Sequence, residues 1–506
     1  MTGWERLDAR VIRVDLGRML VSLVPMAVIA LVFGGALDGS VLWPAAIIAV
    51  TGVGAALADL LRWARTRYRI TDERVECRTG LVVRGHRSIR RDRIRSVDTT
   101  AKLRHRLAGL RVVAIRAGDR TATGETAPLR LDAVSRATAE RLQAELPAGR
   151  AVAPEPAAPA ATGSAIAHFR WQWVPYNAFT VWAFLTGAGL AWGAYWLGKP
   201  VGVDLLALAA GTADWSALGL GWTIAAAVLA AGVVGVVGVG VAFVGQYWGF
   251  RLSRVRLASG TVLRTSHGLL RTRQVDRDEA RLRGVEIREP LPWRWARGAD
   301  VTVVSTGLSA GGLSSAGGSA ILPRVPLADA RRATSAVLGD ERPLATPLTT
   351  HPRAALRRRL GRAVLVGVAA GAVGVVVDLP WLWVVLPVAV GLAVLAYRAL
   401  GHALVGPHLV TRHGVNRSTV VLRRDAVIGW TFRQSVLQRR LGLVTVKATT
   451  AAGRGGYPAP DVLVHDAGTL ADDAVPGLIS RHLGEMPELR STVGNAEPPH
   501  ATRPGN

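Results

Sequence analysis

Cysteine is almost missing from this chain of 506 residues: Cys77 stands alone. That excludes an intramolecular disulfide and a cysteine-rich zinc site. Lysine is nearly as scarce, with Lys102, Lys199 and Lys447 only, so the cations are arginines in an Ala-, Gly- and Val-rich background. Acidic residues are outnumbered 36 to 62 by basic ones, for a formal net charge of +26. Chemistry-bearing motifs are missing as well. The glycine run at 307–318 has no Lys-Ser/Thr after it and is no phosphate-binding loop. No serine sits in a Gly-x-Ser-x-Gly elbow, and His402, His408 and His413 lack paired carboxylates. These absences leave no catalytic residue, metal site or cofactor to assign, and the chain reads as a non-enzyme. No recognition helix accompanies the arginines, which argues against nucleic acid as a partner.

What is present is apolar sequence: half of the residues are hydrophobic. A bilayer core requires roughly 20 apolar residues in helical form, and six runs qualify, in pairs. They are 19–37 and 41–61, 176–197 and 219–245, and 363–377 and 381–397. Arginines flank the outer ends of the pairs (Arg10, Arg13 and Arg18; Arg62 and Arg65; Arg357, Arg358 and Arg359; Arg398), while the turns carry Asp38, Asp204 and Asp378. The bias of basic residues toward the cytoplasm then predicts a six-span cell-membrane protein with both termini inside. Asp59 is the acid that stands within a span, one helical turn from Arg62, and is expected to be paired with it. Small residues at Ala231, Gly235, Gly238 and Ala242, and at Gly367 and Gly371, recur at steps of three and four. That spacing predicts helix-packing faces.

After each pair of spans the chain turns to alternating, strand-like sequence, and the plan repeats three times. The first copy contains Arg93-Ile94-Arg95-Ser96-Val97 and then Arg106-Leu107-Ala108-Gly109-Leu110. The third has Ala426-Val427-Ile428-Gly429-Trp430 and then Arg439-Arg440-Leu441-Gly442-Leu443. The second is looser, with Arg281-Leu282-Arg283-Gly284-Val285 and Trp293-Arg294-Trp295-Ala296-Arg297. A repeat of this length turns one folding problem into three. Helical spacing closes the copies at 132–146, with Asp132 or Ser135 as cap, at 328–338 and at 468–482.

The opening Tyr68-Arg69-Ile70-Thr71-Asp72-Glu73-Arg74, the Gly80-Leu81 turn, and the strand and basic segments above resemble the bacterial pleckstrin-homology-like domain (the bPH2, or DUF304, type). The resemblance implies an α+β membrane protein in which three transmembrane helical hairpins alternate with three small PH-like β-barrel or sandwich domains. A C-terminal helix closes each domain. The expected order is a cytoplasmic N-terminus (1–18), hairpin 1 (19–62), domain 1 (63–146), an Ala/Pro linker (147–163), hairpin 2 (164–246) and domain 2 (247–338). A linker (339–352), hairpin 3 (353–398), domain 3 (399–484) and a disordered tail (485–506) follow. The resemblance also implies a partner, either a smaller PH-like membrane protein or a second copy, and a role in envelope homeostasis or tolerance of membrane-active peptides. The rival expectation is a transporter or lipid-handling protein, which the scarcity of polar residues in the spans disfavours.

Basic side chains near the bilayer attract anionic headgroups. Contacts to lipid or partner are therefore expected at Arg91, Arg93, Arg95, Arg104, His105 and Arg106 in the first copy. The second copy offers Trp293, Arg294, Trp295 and Arg297, and the third Arg439 and Arg440.

Overall fold

The computed structural model describes residues 4–33, 39–80, 85–91, 94–117, 120–121, 124–125, 129–145, 164–199, 202–212, 215–257, 260–306 and 319–478. The expected linker at 147–163, the glycine loop at 307–318, the tail at 485–506 and Arg93 lie outside them. The chain divides into two compact units, Met1–Ala280 and Arg281–Asn506.

The first repeat opens with strand β1 (Glu5–Arg6), followed by helices α1 (Arg10–Phe33) and α2 (Gly39–Arg65). Strands β2 (Arg67–Ile70), β3 (Arg74–Thr79) and β4 (Gly85–Arg90) form its first half. Its second half holds β5 (Ile94–Lys102), α3 (Leu103–Leu107), β6 (Leu110–Ala117), the short β7 (Arg120–Thr121) and β8 (Gly124–Glu125), β9 (Leu129–Ser135) and α4 (Arg136–Glu145). The closing helix thus starts later than expected: Asp132 lies in β9, and the Ser135 hydroxyl caps the helix by accepting from the Thr138 amide at 3.1 Å.

The second repeat has β10 (Ser164–His168), α5 (Val174–Ala178), α6 (Val181–Gly198), α7 (Leu205–Ala210) and α8 (Trp215–Tyr247). Strands β11 (Arg251–Leu257), β12 (Gly260–His267) and β13 (Arg271–Asp278) follow, then β14 (Leu282–Arg288), β15 (Gly298–Ser305), β16 (Ala320–Pro326) and α9 (Leu327–Leu338). The third repeat comprises α10 (Arg342–Ala345), α11 (Arg353–Val376), α12 (Val385–Arg398), β17 (Gly401–Val405), β18 (His408–His413) and β19 (Ser418–Arg423). It ends with β20 (Gly429–Arg433), α13 (Val436–Arg440), β21 (Leu443–Thr449), β22 (Gly456–Leu463) and α14 (Val464–Ala474). The last helix begins and ends earlier than its sequence spacing suggested.

Each repeat pins its helices in the same way. In the first, β1 pairs antiparallel with β2, and the Trp63 indole donates to the Leu7 carbonyl at 2.9 Å. In the second, β10 pairs with β11, and the Phe169 amide donates to Phe250. In the third, the Thr349 amide donates to His402, and the Tyr397 hydroxyl donates to His351 at 3.0 Å. The segment 339–352, expected as a linker, therefore carries a structural contact. The chain entering each helix pair is stitched to the first strand leaving it, so the strands sit at one defined end of the helices.

Among the described residues four helices are long and apolar enough to cross a membrane: Ala46–Arg65, Gly219–Tyr247, Arg353–Val376 and Pro380–Arg398. Helix α8 breaks its regular geometry at Gly219, where φ is +75°. Asp59 pairs with Arg62 at 3.4 Å, as its spacing suggested, and also with Arg18 at 2.9 Å. A methyl group built on Gly235 would collide with the Ala183 carbonyl, and one on Gly187 with that of Ala231, so α6 and α8 touch backbone to backbone. Gly238 faces Leu190; Gly367 and Gly371 face Leu386 and Trp383, whereas Ala242 is exposed. Gly235→Leu is expected to lower the folded yield several-fold in fluorescence-detected gel filtration. Gly245→Leu, whose Cβ would have no neighbour within 4 Å, should leave it unchanged.

The strands depart from three self-contained domains. One sheet runs β10-β11-β12-β13-β5-β6-β9, joining the first half of the second repeat to the second half of the first. Another runs β16-β15-β14-β19-β18-β17, joining the second and third repeats in the same manner. The stretch expected as domain 2 therefore divides, its first three strands in one unit and its last three in the other. Strands β1 to β4 form a further sheet, which encloses a core of Tyr68, Val75, Ile94, Val113, Leu131 and Leu142 together with β5, β6, β9 and α4.

Candidate functional site

The joined sheet of the first unit creates a cavity of about 560 Å³. Its walls come from two repeats. Arg106 on α3, Arg111 on β6 and Arg136 at the start of α4 belong to the first; Trp248, His267 and Arg273 belong to the second. The size suits a small ligand. Two acids neutralise part of the charge: Glu140 takes Arg136 at 2.9 Å and Arg111 at 3.5 Å, and Asp98 takes Arg273 at 3.2 Å. Four guanidinium groups against two carboxylates leave the site cationic. Guanidinium groups hold phosphate or carboxylate oxygens through paired donors.

The loop between β12 and β13 fixes the mouth of the cavity to the end of α8. The Gly268 amide donates to Trp248, the Leu269 amide to Gly245, and Arg106 Nη1 to the Leu269 carbonyl at 2.7 Å. Gly268 is needed there, since its φ is +115° and a Cβ would strike the Arg271 carbonyl. His267 donates through Nδ1 to the Gln246 carbonyl at 2.8 Å and stacks on Tyr247. Burial lowers its pKa below the usual histidine value, so it is neutral at pH 7 and the arginines carry the charge.

Beside the cavity, apolar side chains face outward: Leu107 is 83 % exposed and Leu270 61 %, and Leu103 and Leu269 are also exposed. The equivalent segment of each other repeat, between the first two strands of its second half, shares this character. After β14 it offers Trp295, 72 % exposed, beside Arg294 and Arg297; after β20 it is α13, with Val436 at 68 % and Leu437 beside Arg439 and Arg440. Exposed apolar residues next to cations suit a membrane interface.

Among the residues singled out from sequence, Arg106 lines the cavity, and Trp295, Arg297, Arg439 and Arg440 are exposed on these segments. His105 is buried, and Trp293 takes the Arg324 guanidinium over its ring at 5.0 Å. Arg91 is half-buried before β5; Arg95 lies on β5 and Arg104 on α3. Arg111, Arg136, His267 and Arg273 escaped the sequence reading because the cavity needs a sheet shared by two repeats.

The second unit holds a buried ionic cluster. Asp461, fully buried on β22, accepts from Arg358 at 2.7 Å, Arg359 at 2.9 Å and Gln438 at 2.9 Å, tying α11 to α13. Close by, His351 meets His402 edge to face at 5.2 Å. Burial, reinforced by His402, lowers the His351 pKa to about 4. A histidine held below its unfolded value of 6.5 leaves stability intact above that pH and removes it as pH falls toward the folded pKa, a loss of roughly 3 kcal/mol. The thermal midpoint of the detergent-solubilised protein should therefore fall between pH 7 and pH 4.5, and His351→Gln should flatten this drop.

Two stretches, residues 20–150 and 357–474, match the family model of the bacterial PH domain. The middle strands lie outside both matches. No curated protein and no solved structure matches the chain.

Proposed function

We propose, from a chain that belongs to the bacterial PH domain family, a non-enzymatic membrane scaffold. Its three repeats stand on the cytoplasmic face and engage anionic lipid headgroups. In this reading each repeat is a two-span hairpin followed by strands, six spans in all with both termini inside. The arginine flanks support that orientation, and the three matching stitches between pre-hairpin and post-hairpin backbone support the repeat.

The observation that carries the reading is the cationic cavity with exposed Leu107 and Leu270 beside it, held at the end of α8. A helix end fixes height relative to a bilayer, so the leucines reach acyl chains while the arginines meet phosphates. The transporter reading requires polar residues facing inward along several spans. Asp59 is instead neutralised by Arg18 and Arg62.

Hydrogen exchange of the full chain in nanodiscs tests the proposal. Amides of 103–107 and 268–272 should exchange at least several-fold more slowly in phosphatidylglycerol than in phosphatidylcholine. Equal rates would remove its basis.

A further inference from the structure

The two seams between repeats obey one register. On β5, Asp98 lies opposite Val275 of β13; on β14, Glu286 lies opposite Val420 of β19. Both acids are buried, and each meets a residue of the next repeat two positions before that valine. Asp98 pairs with Arg273 at 3.2 Å, and Glu286 accepts from the Ser418 hydroxyl. Each valine stands eleven residues ahead of the acid in its own repeat or of its counterpart: Val275 ahead of Glu286, and Val420 ahead of Thr431. Arg87 stands eleven ahead of Asp98.

Three repeats imply three such seams, and two are formed. Among the described residues β4 ends one sheet and β20 ends another. At these ends the charge and its partner vanish together. Thr431 occupies the place of the acid, and Gly85 the place of Arg273 and Ser418. The same register would set Arg87 against Thr431, Arg433 against Gly85 and Phe432 against His86, so no two arginines face each other.

We propose that β20 of one molecule pairs antiparallel with β4 of a second copy of this chain in that register, giving head-to-tail association within the membrane. A heterologous contact of this kind propagates or closes into a ring, and strand addition to an open edge supplies its backbone hydrogen bonds. The paired loss of the acid and of the side chain that meets it argues for a copy of the same chain, because one molecule carries both altered edges. The inference is independent of the lipid reading.

Site-directed cross-linking of the full-length protein in membranes tests it. A Cys77→Ala background is used, since Cys77 lies opposite Arg87 across β3 and β4. Chains bearing Arg87→Cys and differently tagged chains bearing Thr431→Cys are co-expressed and treated with a short bismaleimide. The expected result is a dimer carrying both tags, at least ten-fold weaker when Phe432→Cys, on the opposite face of the strand, replaces Thr431→Cys. Installing Gly85→Arg and Thr431→Asp should raise the amount of wild-type-cysteine dimer seen by single-molecule photobleaching; Gly85 has a side-chain contact no nearer than 3.4 Å and can accept the arginine. No two-tag product, a yield indifferent to register, or closure of a doubly substituted chain on itself as a monomer would each overturn the proposal.

Discussion

Asp461→Ala should lower the stability of the second unit by about 3–5 kcal/mol. The carboxylate is fully buried and is shared by Arg358, Arg359 and Gln438. Removing it leaves two guanidinium groups facing each other in the interior, each having lost its counter-charge. The burial penalty of both arginines then falls on the folded state alone. Asp461→Asn keeps hydrogen-bond acceptors but not the charge, and should lie between alanine and wild type. Thermal unfolding in detergent reads the effect as a drop of roughly 10 °C. A drop below about 2 °C would show that the cluster contributes no net stability.

Glu286→Ala should cost a similar amount, about 3–5 kcal/mol, at the seam between the second and third repeats. Burial by itself would raise the pKa of this carboxyl. Hydrogen bonds from Arg288 and Ser418, and the nearby Arg454 at 2.7 Å, outweigh that and hold it below the usual carboxylate range. The stability it supplies is present above its unfolded pKa and is lost as pH falls through the lowered folded one. Hydrogen exchange should locate the damage in β14 and β19, with β21 and β22 little changed. Uniform acceleration across the second unit would show that the seam is not a separable element.

The strands that bear the recurring motifs were legible because strand and turn chemistry stands there at fixed spacing. Ile94-Arg95-Ser96-Val97 falls on β5, and Leu282-Arg283-Gly284-Val285 falls on β14. Apolar run length and arginine flanks located the helices, although α11 begins ten residues before its apolar run, its basic entry at Arg353 being helical too. The partner of each strand was not legible. Alternation names the face that a residue occupies and never the strand beside it. A signal did exist: Asp98 and Glu286 follow the core valines Val97 and Val285 yet are buried, which means both faces of those strands are covered. An acid repeated at the same place in two strands marks a partner supplying the opposite charge or a hydroxyl. The cavity was hidden for the same reason, since Arg273 and His267 lie more than 130 residues from Arg136 in sequence.

The measurement that bears most directly on the central claim is lipid retention by the delipidated full-length protein under native mass spectrometry. Phosphatidylglycerol should bind at least ten-fold more tightly than phosphatidylcholine, and Arg111→Gln with Arg136→Gln should abolish that preference while Arg332→Gln, at an exposed position of α9, leaves it intact. Equal retention of the two lipids by the wild type, or a preference untouched by the cavity substitutions, would contradict the account.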